Sequence, residues 1–364
     1  MTYELYVNTM SPYSIKASAL LGYAGIPCKI VRQNLVTRFT VLKRLTGKTM
    51  VPVLRRGEWA INDSTEIARW AVGETDQSLL PAEQWLHPIC WLLEEFADEW
   101  VSRWMVQSRW CNPEDADYVG EWIGEELTGD VPCIGQSIGA AARRLITKGL
   151  ARGGARDSNR PALEQSRDRT LQALENLFDE SDGFLFGPFP TVADFSLYGQ
   201  IEQYRRDPTG GRRMEMYPAI SEWLDVVDRM RLPHPVVALR HDVDFREGRL
   251  DRFFAEFFGT YWRVVVAIHR ARASGADSDD VEVELVDGTT FRCYPSRYMA
   301  GRIEFVLGQL EALYRSDGEL LETRKLQIRE AVEGGIERLA GYEAGARMLQ
   351  EFPRLSEVSS RVER

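Results

Sequence analysis

Two serines near the start of the chain sit at a spacing that matters. Met10-Ser11-Pro12-Tyr13-Ser14 lies between a short apolar run and a run with helical spacing. Cysteines at 11 and 14 would make a redox motif, which hydroxyls cannot do. The residues alone leave three readings open: a lapsed disulfide site, a plain helix cap, or a serine with its own chemistry. Ser11-Pro12 starts a helix in any case, with Ser at the N-cap and Pro at the first helical position. Such a start presents free N–H groups and partial positive charge, which favour an anion. Val51-Pro52 reads as a proline at the start of a strand, and Asp63-Ser64 as the cap of another helix. Lys48 adds a cation in the loop before Val51.

Other reactive side chains form no pattern. His87, His234, His241 and His269 lack metal-ligand spacing. His234 and His241 could share a metal with Asp242 and Asp244, but that stretch is rich in Pro and charge and reads better as a linker. No metal is expected. Cys28, Cys90, Cys111, Cys133 and Cys293 form no CxxC and are odd in number, which fits buried thiols in a reducing cytoplasm.

Elements must hold these residues in place. Residues 3–8 form a β-rich run, and a helix is expected from Pro12 to Ala24, stopped by Gly25-Ile26-Pro27. A strand over 28–34 and a short helix over 38–46 follow. Residues 51–63 read as a hairpin around Arg56-Gly57, and a helix from Ser64 ends at Gly73. The order β-α-β-α-β-β-α makes the first two strands parallel and the hairpin antiparallel. The expectation is a small mixed sheet with helices on both faces.

Strand signals vanish from about 82. Trp85, Trp91, Phe96, Trp100, Trp104 and Trp110 stand among apolar residues at helical spacing over 83–111. Helices are expected over 114–128, 131–150, 162–181 and 218–230, and another opens with a capping-box pattern at Thr191-Val192-Ala193-Asp194. A linker over 231–249 leads to a long aromatic-rich helix over 250–273. A hairpin over 281–294 turns at Asp287-Gly288, and helices over 296–314 and 319–351 complete the chain. The expected domains are 1–80, 81–235 and 236–364.

Charge and hydropathy exclude some partners. The net charge is −10, from 45 basic and 55 acidic residues. That disfavours nucleic acid, which wants a basic surface, but leaves room for a small anion at a local positive site. Apolar stretches such as 264–268 are too short to span a membrane. The N-terminus lacks a basic segment followed by an apolar one, so a cytoplasmic protein is expected.

Taken together in this element order, Ser11, Val51-Pro52 and Asp63-Ser64 resemble the thioredoxin-like N-terminal domain of the glutathione S-transferase superfamily. The helical stretch with its Thr191–Asp194 box resembles that family's all-α C-terminal domain. The resemblance covers about 1–230. The remainder looks like an extension found in some bacterial members, mostly helical with one β-hairpin, and carries no assignable activity. The resemblance implies glutathione as co-substrate, an apolar electrophile, no metal, and a homodimer. It implies that Ser11 faces the glutathione thiol, that Val51 pairs with the cysteinyl part before a cis Pro52, and that Asp63 and Ser64 take the γ-glutamyl end. Lys48 is a candidate for the glycyl carboxylate. Ser14, Tyr13 and Tyr6 are rivals to Ser11. The electrophile pocket would lie between the domains, with Tyr13, Trp100, Trp104 and Arg109 as candidate walls beside Met105 and Trp110. The same aromatics fit a core stripe, and periodicity does not separate the two.

This chemistry is physically coherent. A free thiol with a pKa of ~8.5 is mostly protonated at neutral pH, and the thiolate is the nucleophile. A helix N-terminus and one charge-assisted hydrogen bond from Ser11 favour the thiolate. A pKa lowered by about two units corresponds to roughly 2.7 kcal/mol. Two other readings stand beside this one. One is a non-catalytic binding protein on the same scaffold. The other is a thiol–disulfide oxidoreductase, which the absence of cysteine at 11 and 14 opposes and which would need a reactive Cys28.

Overall fold

The structure is a computed structural model and describes residues 2–129, 135–180, 183–235, 250–275 and 279–315. It divides into two compact units, Met1–Glu256 and Phe257–Arg364.

The first unit opens with β1 (Tyr3–Val7), α1 (Pro12–Tyr23) and β2 (Cys28–Arg32). β1 and β2 pair in parallel, as a helical crossover requires. α2 (Leu35–Thr37) and α3 (Lys43–Thr46) follow. The single helix expected over 38–46 is instead a π-helical turn, Arg38–Leu42, running into α3. The expected hairpin forms from β3 (Val53–Arg56) and β4 (Trp59–Asn62), giving the strand order β2-β1-β3-β4. α4 (Ser64–Glu74) closes this domain and runs through Gly73. One glycine near a helix end costs only about 1 kcal/mol, too little to stop it.

The rest of the unit is helical. α5 (His87–Phe96) and α6 (Ser102–Cys111) are joined by a π-helical turn, Ala97–Val101. Then come α7 (Pro113–Thr128), α8 (Gly135–Arg152), α9 (Arg160–Asp179), α10 (Val192–Arg206), α11 (Pro208–Met214) and α12 (Pro218–Asp228). The capping box at the start of α10 is complete, and Asp194 also accepts from the Leu185 N–H at 3.0 Å. α11 lies outside the helices expected from the sequence. Trp100, Phe195, Tyr198 and Trp223 are among the fully buried side chains of this helical core. α13 (Asp251–Gly259) carries the chain into the second unit.

The second unit holds α14 (Tyr261–Ala273), β5 (Val281–Glu284), β6 (Thr290–Cys293) and α15 (Arg297–Arg315). The single helix expected over 250–273 breaks between Gly259 and Tyr261, where Thr260 leaves helical geometry at φ −128° and ψ −82°. The Asp287-Gly288 hairpin forms, with Gly288 at φ 77° and Phe291 and Cys293 facing inward. Cys133, His241, Asp242, Asp244, most of the expected linker and the helix expected over 319–351 lie outside the described residues. Among the described residues no group of three or more His, Cys, Asp or Glu could hold a metal, and no helix is long and apolar enough to cross a membrane.

Candidate active site

One row of residues crosses the sheet and fixes where the candidate groups meet. Tyr6 pairs with Val31 on one side and Val53 on the other, and Val53 pairs with Asn62. Just beyond this row lie the end of β1, the end of β2, the start of β3 and the end of β4. The register therefore brings the loop to Ser11, the Val51-Pro52 pair and Asp63-Ser64 to the same end of the sheet. Gln33 extends the row by donating its N–H to the Val7 carbonyl at 2.8 Å.

The loop from β1 to α1 is held at nearly every backbone group. Glu126 of α7 accepts from the Thr9 N–H at 3.0 Å and from its hydroxyl at 3.0 Å. Gln203 of α10 donates to the Thr9 carbonyl at 2.9 Å. Asn8 accepts from the Met10 N–H at 3.0 Å, and Arg109 donates to the Met10 carbonyl at 2.9 Å. The Met10 side chain packs with Trp110, Ala116 and Val119. Gly199 lets α10 press on the first turn of α1, since a Cβ there would sit 2.6 Å from the Pro12 carbonyl. Ser11 caps α1, accepting from the Ser14 N–H at 3.3 Å. Among the described residues its own O–H has no acceptor. Accepting and donating use different sites on a hydroxyl, so capping leaves the Ser11 proton available.

The Val51-Pro52 peptide is cis. Asn62 braces it, donating to the Met50 carbonyl at 3.2 Å and to the Pro52 carbonyl at 3.1 Å. Asp63 follows with φ 105°, the one non-glycine residue at positive φ among the described residues. Such a conformation costs about 1–3 kcal/mol and persists where its surroundings impose it. Its carboxylate caps α4 by accepting from the Thr65 N–H at 2.9 Å.

Behind these helix starts lies a buried ionic cluster. Lys16 is 1% exposed, and its ammonium donates to Glu94 and Asp98 at 2.6 Å each. Thr65 donates its hydroxyl to Glu94 at 2.6 Å, and Ser64 donates to Asp98 at 3.4 Å. Tyr13 donates its phenol to the Asp98 carbonyl at 3.0 Å, where the π-helical turn presents it. The cluster thus ties the start of α1 to the start of α4. Burial, with Glu94 adding to it, pushes the Asp98 carboxyl up to about 7 against the pull of Lys16. Burial opposes the Lys16 charge too, but the two carboxylates outweigh it and hold its pKa above the ordinary value.

The profile of the glutathione S-transferase N-terminal domain matches residues 5–78, and that of the C-terminal domain matches residues 157–225. Those two segments belong to the glutathione S-transferase superfamily. Those domains imply glutathione binding. Among solved structures it is similar to a glutathione S-transferase-like protein from Pseudomonas syringae, with 19% identity, 65% of this chain and 69% of that chain covered, and a TM-score of 0.45. It is also similar to the beta-etherase LigF from Sphingobium sp. strain SYK-6, at 18% identity, 62% and 94% coverage and a TM-score of 0.45. A glutathione S-transferase from Rhodospirillum rubrum F11 is 17% identical, with 70% and 100% coverage and a TM-score of 0.42. A comparison with curated proteins found no match.

Within this transferase scaffold the sequence-predicted residues fall into two groups. Ser11, Val51, Pro52, Asp63 and Ser64 gather at one end of the sheet. Lys48 is exposed in the loop leading to them, its N–H donating to the Thr46 hydroxyl at 3.2 Å. Tyr13 is half-buried and committed to the π-helical turn. Trp100, Trp104 and Arg109 are 0%, 1% and 2% exposed and lie inside the helical packing. Trp100 donates to Ser166 at 2.8 Å, and Trp104 packs edge-on against Tyr204. Arg109 forms a fork with Asp207 and Gln203 behind the Ser11 loop. Lys16, Glu94, Asp98 and Glu126 were missed. The available signal for Lys16 was a lone charge inside the apolar run of α1; Glu94, Asp98 and Glu126 read as ordinary surface acids.

Proposed function

We propose that this chain is a serine-type glutathione transferase, in which Ser11 stabilises the glutathione thiolate for attack on an apolar electrophile. The observation that carries the reading is the Ser11 hydroxyl, which caps α1 as an acceptor and whose own O–H has no acceptor among the described residues. In the reaction the thiol proton passes to solvent, the sulfur forms a bond to the electrophilic carbon, and the leaving group departs with its electron pair. Val51, Asp63 and Ser64 hold the peptide, with Lys48 near its glycyl end. Family resemblance alone extends the reading to a cytoplasmic homodimer. A thiol–disulfide activity through Cys28 fits poorly, because burial pushes that thiol up to about 12.

Two variants at Ser11 separate capping from chemistry. Ser11→Asp keeps a side-chain cap but replaces the donor with a negative charge. Its melting temperature should stay near wild type while kcat/KM falls by about 10- to 100-fold, the size expected for one hydrogen bond to a charged group. Ser11→Ala should show a similar loss with glutathione binding retained, and an ultraviolet titration of bound thiolate should move up. Turnover that merely tracks melting temperature would reduce Ser11 to a cap. A wild type that binds glutathione without turnover on any electrophile would favour the non-catalytic alternative.

Asp63→Gly gives a third, opposite-signed result. Glycine adopts φ 105° without strain, and loss of the cap to glycine costs only a few tenths of a kcal/mol. Melting temperature should hold or rise, while calorimetry shows glutathione binding weakened by roughly tenfold. A lower melting temperature with unchanged affinity would remove Asp63 from the binding site.

A further inference from the structure

The chain beyond the matched family segments reaches the site from behind. α13 lies after residue 225, outside both matches, and its Glu256 is the last residue of the first unit. Leu250, Phe253 and Glu256 recur every three residues and are all buried, Glu256 at 6% exposed. A carboxylate so buried needs partners. Arg169 of α9 forks onto it, from Nε at 2.6 Å and from one Nη at 3.0 Å. Ser166, one turn earlier on α9, donates its hydroxyl to the same carboxylate.

Ser166 passes the contact on. Its Oγ also accepts from the Trp100 indole at 2.8 Å, so one hydroxyl joins Glu256 to the π-helical turn Ala97–Val101. Trp100 is two residues after Asp98, and two residues apart on a helix point to nearly opposite sides. On that other side the Asp98 carbonyl accepts from the Tyr13 phenol, and its carboxylate accepts from Lys16 and Ser64. The turn is thus gripped by α9 and α13 behind and by α1 and α4 in front. Such turns are local departures from the regular helical ladder that recur at functional sites.

We propose that Glu256 is a positioning residue for glutathione. Through Ser166 and Trp100 it fixes the π-helical turn, and through Asp98 the turn fixes Ser64 at the start of α4. The extension thereby completes the glutathione site from behind. The proposal rests on the reading of Ser64 as part of that site. Glu256, Ser166 and Trp100 take no part in making the thiolate.

The test is calorimetry of glutathione binding to the full chain, well below its melting transition. Ser166→Ala removes the middle of the relay and leaves the Glu256–Arg169 pair intact. It should bind glutathione about three- to tenfold more weakly. Glu256→Gln keeps an acceptor for Ser166 but gives up the charge that Arg169 pairs with. Its melting temperature should fall while its affinity stays near wild type. Glu256→Leu breaks the relay and should lose affinity as Ser166→Ala does. The two combined should bind no more weakly than the weaker single variant, because both cut one chain of contacts. Should Glu256→Leu not fold, the opposed results of Ser166→Ala and Glu256→Gln decide alone. Affinity that simply tracks melting temperature across the variants, or losses that add, overturns the proposal. Ser64→Ala is measured alongside and should also bind more weakly. Unchanged affinity there sinks the placement of Ser64 and this proposal with it, whereas a loss there without one in Ser166→Ala sinks the relay alone. Calorimetry needs no electrophile, so failure of the Ser11 reading leaves these results standing.

Discussion

Lys16→Met is expected to remove about 3–5 kcal/mol of stability, a large share of what a domain possesses. The ammonium is buried and bonded at 2.6 Å to both Glu94 and Asp98. Methionine fills similar volume but leaves two buried carboxylates facing each other without a cation. The loss should depend on pH in a specific direction. Asp98 in the folded protein holds its proton up to about 7, against an ordinary value of about 3.9 unfolded. The folded state therefore binds this proton more tightly than the unfolded state. Its contribution is fully present below about pH 4 and is lost as pH rises to about 7. Wild type should gain stability on acidification across that window, and Asp98→Asn should flatten the dependence. Lys16, raised above its ordinary pKa, loses its contribution only in the alkaline range above about 10.5. In Lys16→Met the deficit should be greatest between about pH 7 and about pH 10.5, shrinking below that window as Asp98 takes up its proton and above it as the wild-type lysine loses its own contribution. Urea denaturation of the variants at several pH values reads all of this. Replacing Glu94 and Asp98 with leucine alongside Lys16→Met should recover stability. Because Ser64 and Thr65 hang from the same carboxylates, catalysis should fall further than the remaining folded fraction predicts.

Arg109→Met should cost a similar amount, about 3–5 kcal/mol, for a related reason. Arg109 donates from Nε to Asp207 at 2.8 Å, from one Nη to the Met10 carbonyl, and from the other to Gln203. Its removal strands a buried carboxylate, which burial already holds at about 6 despite the guanidinium. It also frees the Met10 carbonyl, one residue before Ser11. Arg109→Lys keeps the charge but not the five-donor fork, so it should recover only part of the stability. Arg109→Met with Asp207→Leu should regain stability while turnover stays low, because the Ser11 loop remains unpinned. If the double variant regained full turnover, the contact to Met10 would have no positioning role. This residue entered as a candidate pocket wall; its buried fork makes it the support of the loop.

The parts of this protein that sequence alone determined are those made between near neighbours. Ser11 and Asp63 cap helices through N–H groups two or three residues away. Thr191 and Asp194 complete their box within one turn, and Asp287-Gly288 closes its hairpin. Such hydrogen bonds follow from residue type and spacing, so the mixed sheet, the helical domain and the later hairpin were legible. The misreadings were also local: Gly73 was too weak a breaker to end α4, and Gly259-Thr260 broke a helix that periodicity made continuous. What the fold alone decided involves partners far apart in the chain. Lys16 meets its carboxylates across 78 and 82 residues, Arg109 reaches Met10 across 99, and Glu126 clamps Thr9 across 117. No periodicity separates a buried lysine from a solvated one, or an aromatic stripe in the core from one that lines a cleft. Only packing determines which water-facing groups are lost and which charges must then find one another. That is why Trp104 lies sealed in the helical core while Trp122 of α7 stands 44% exposed.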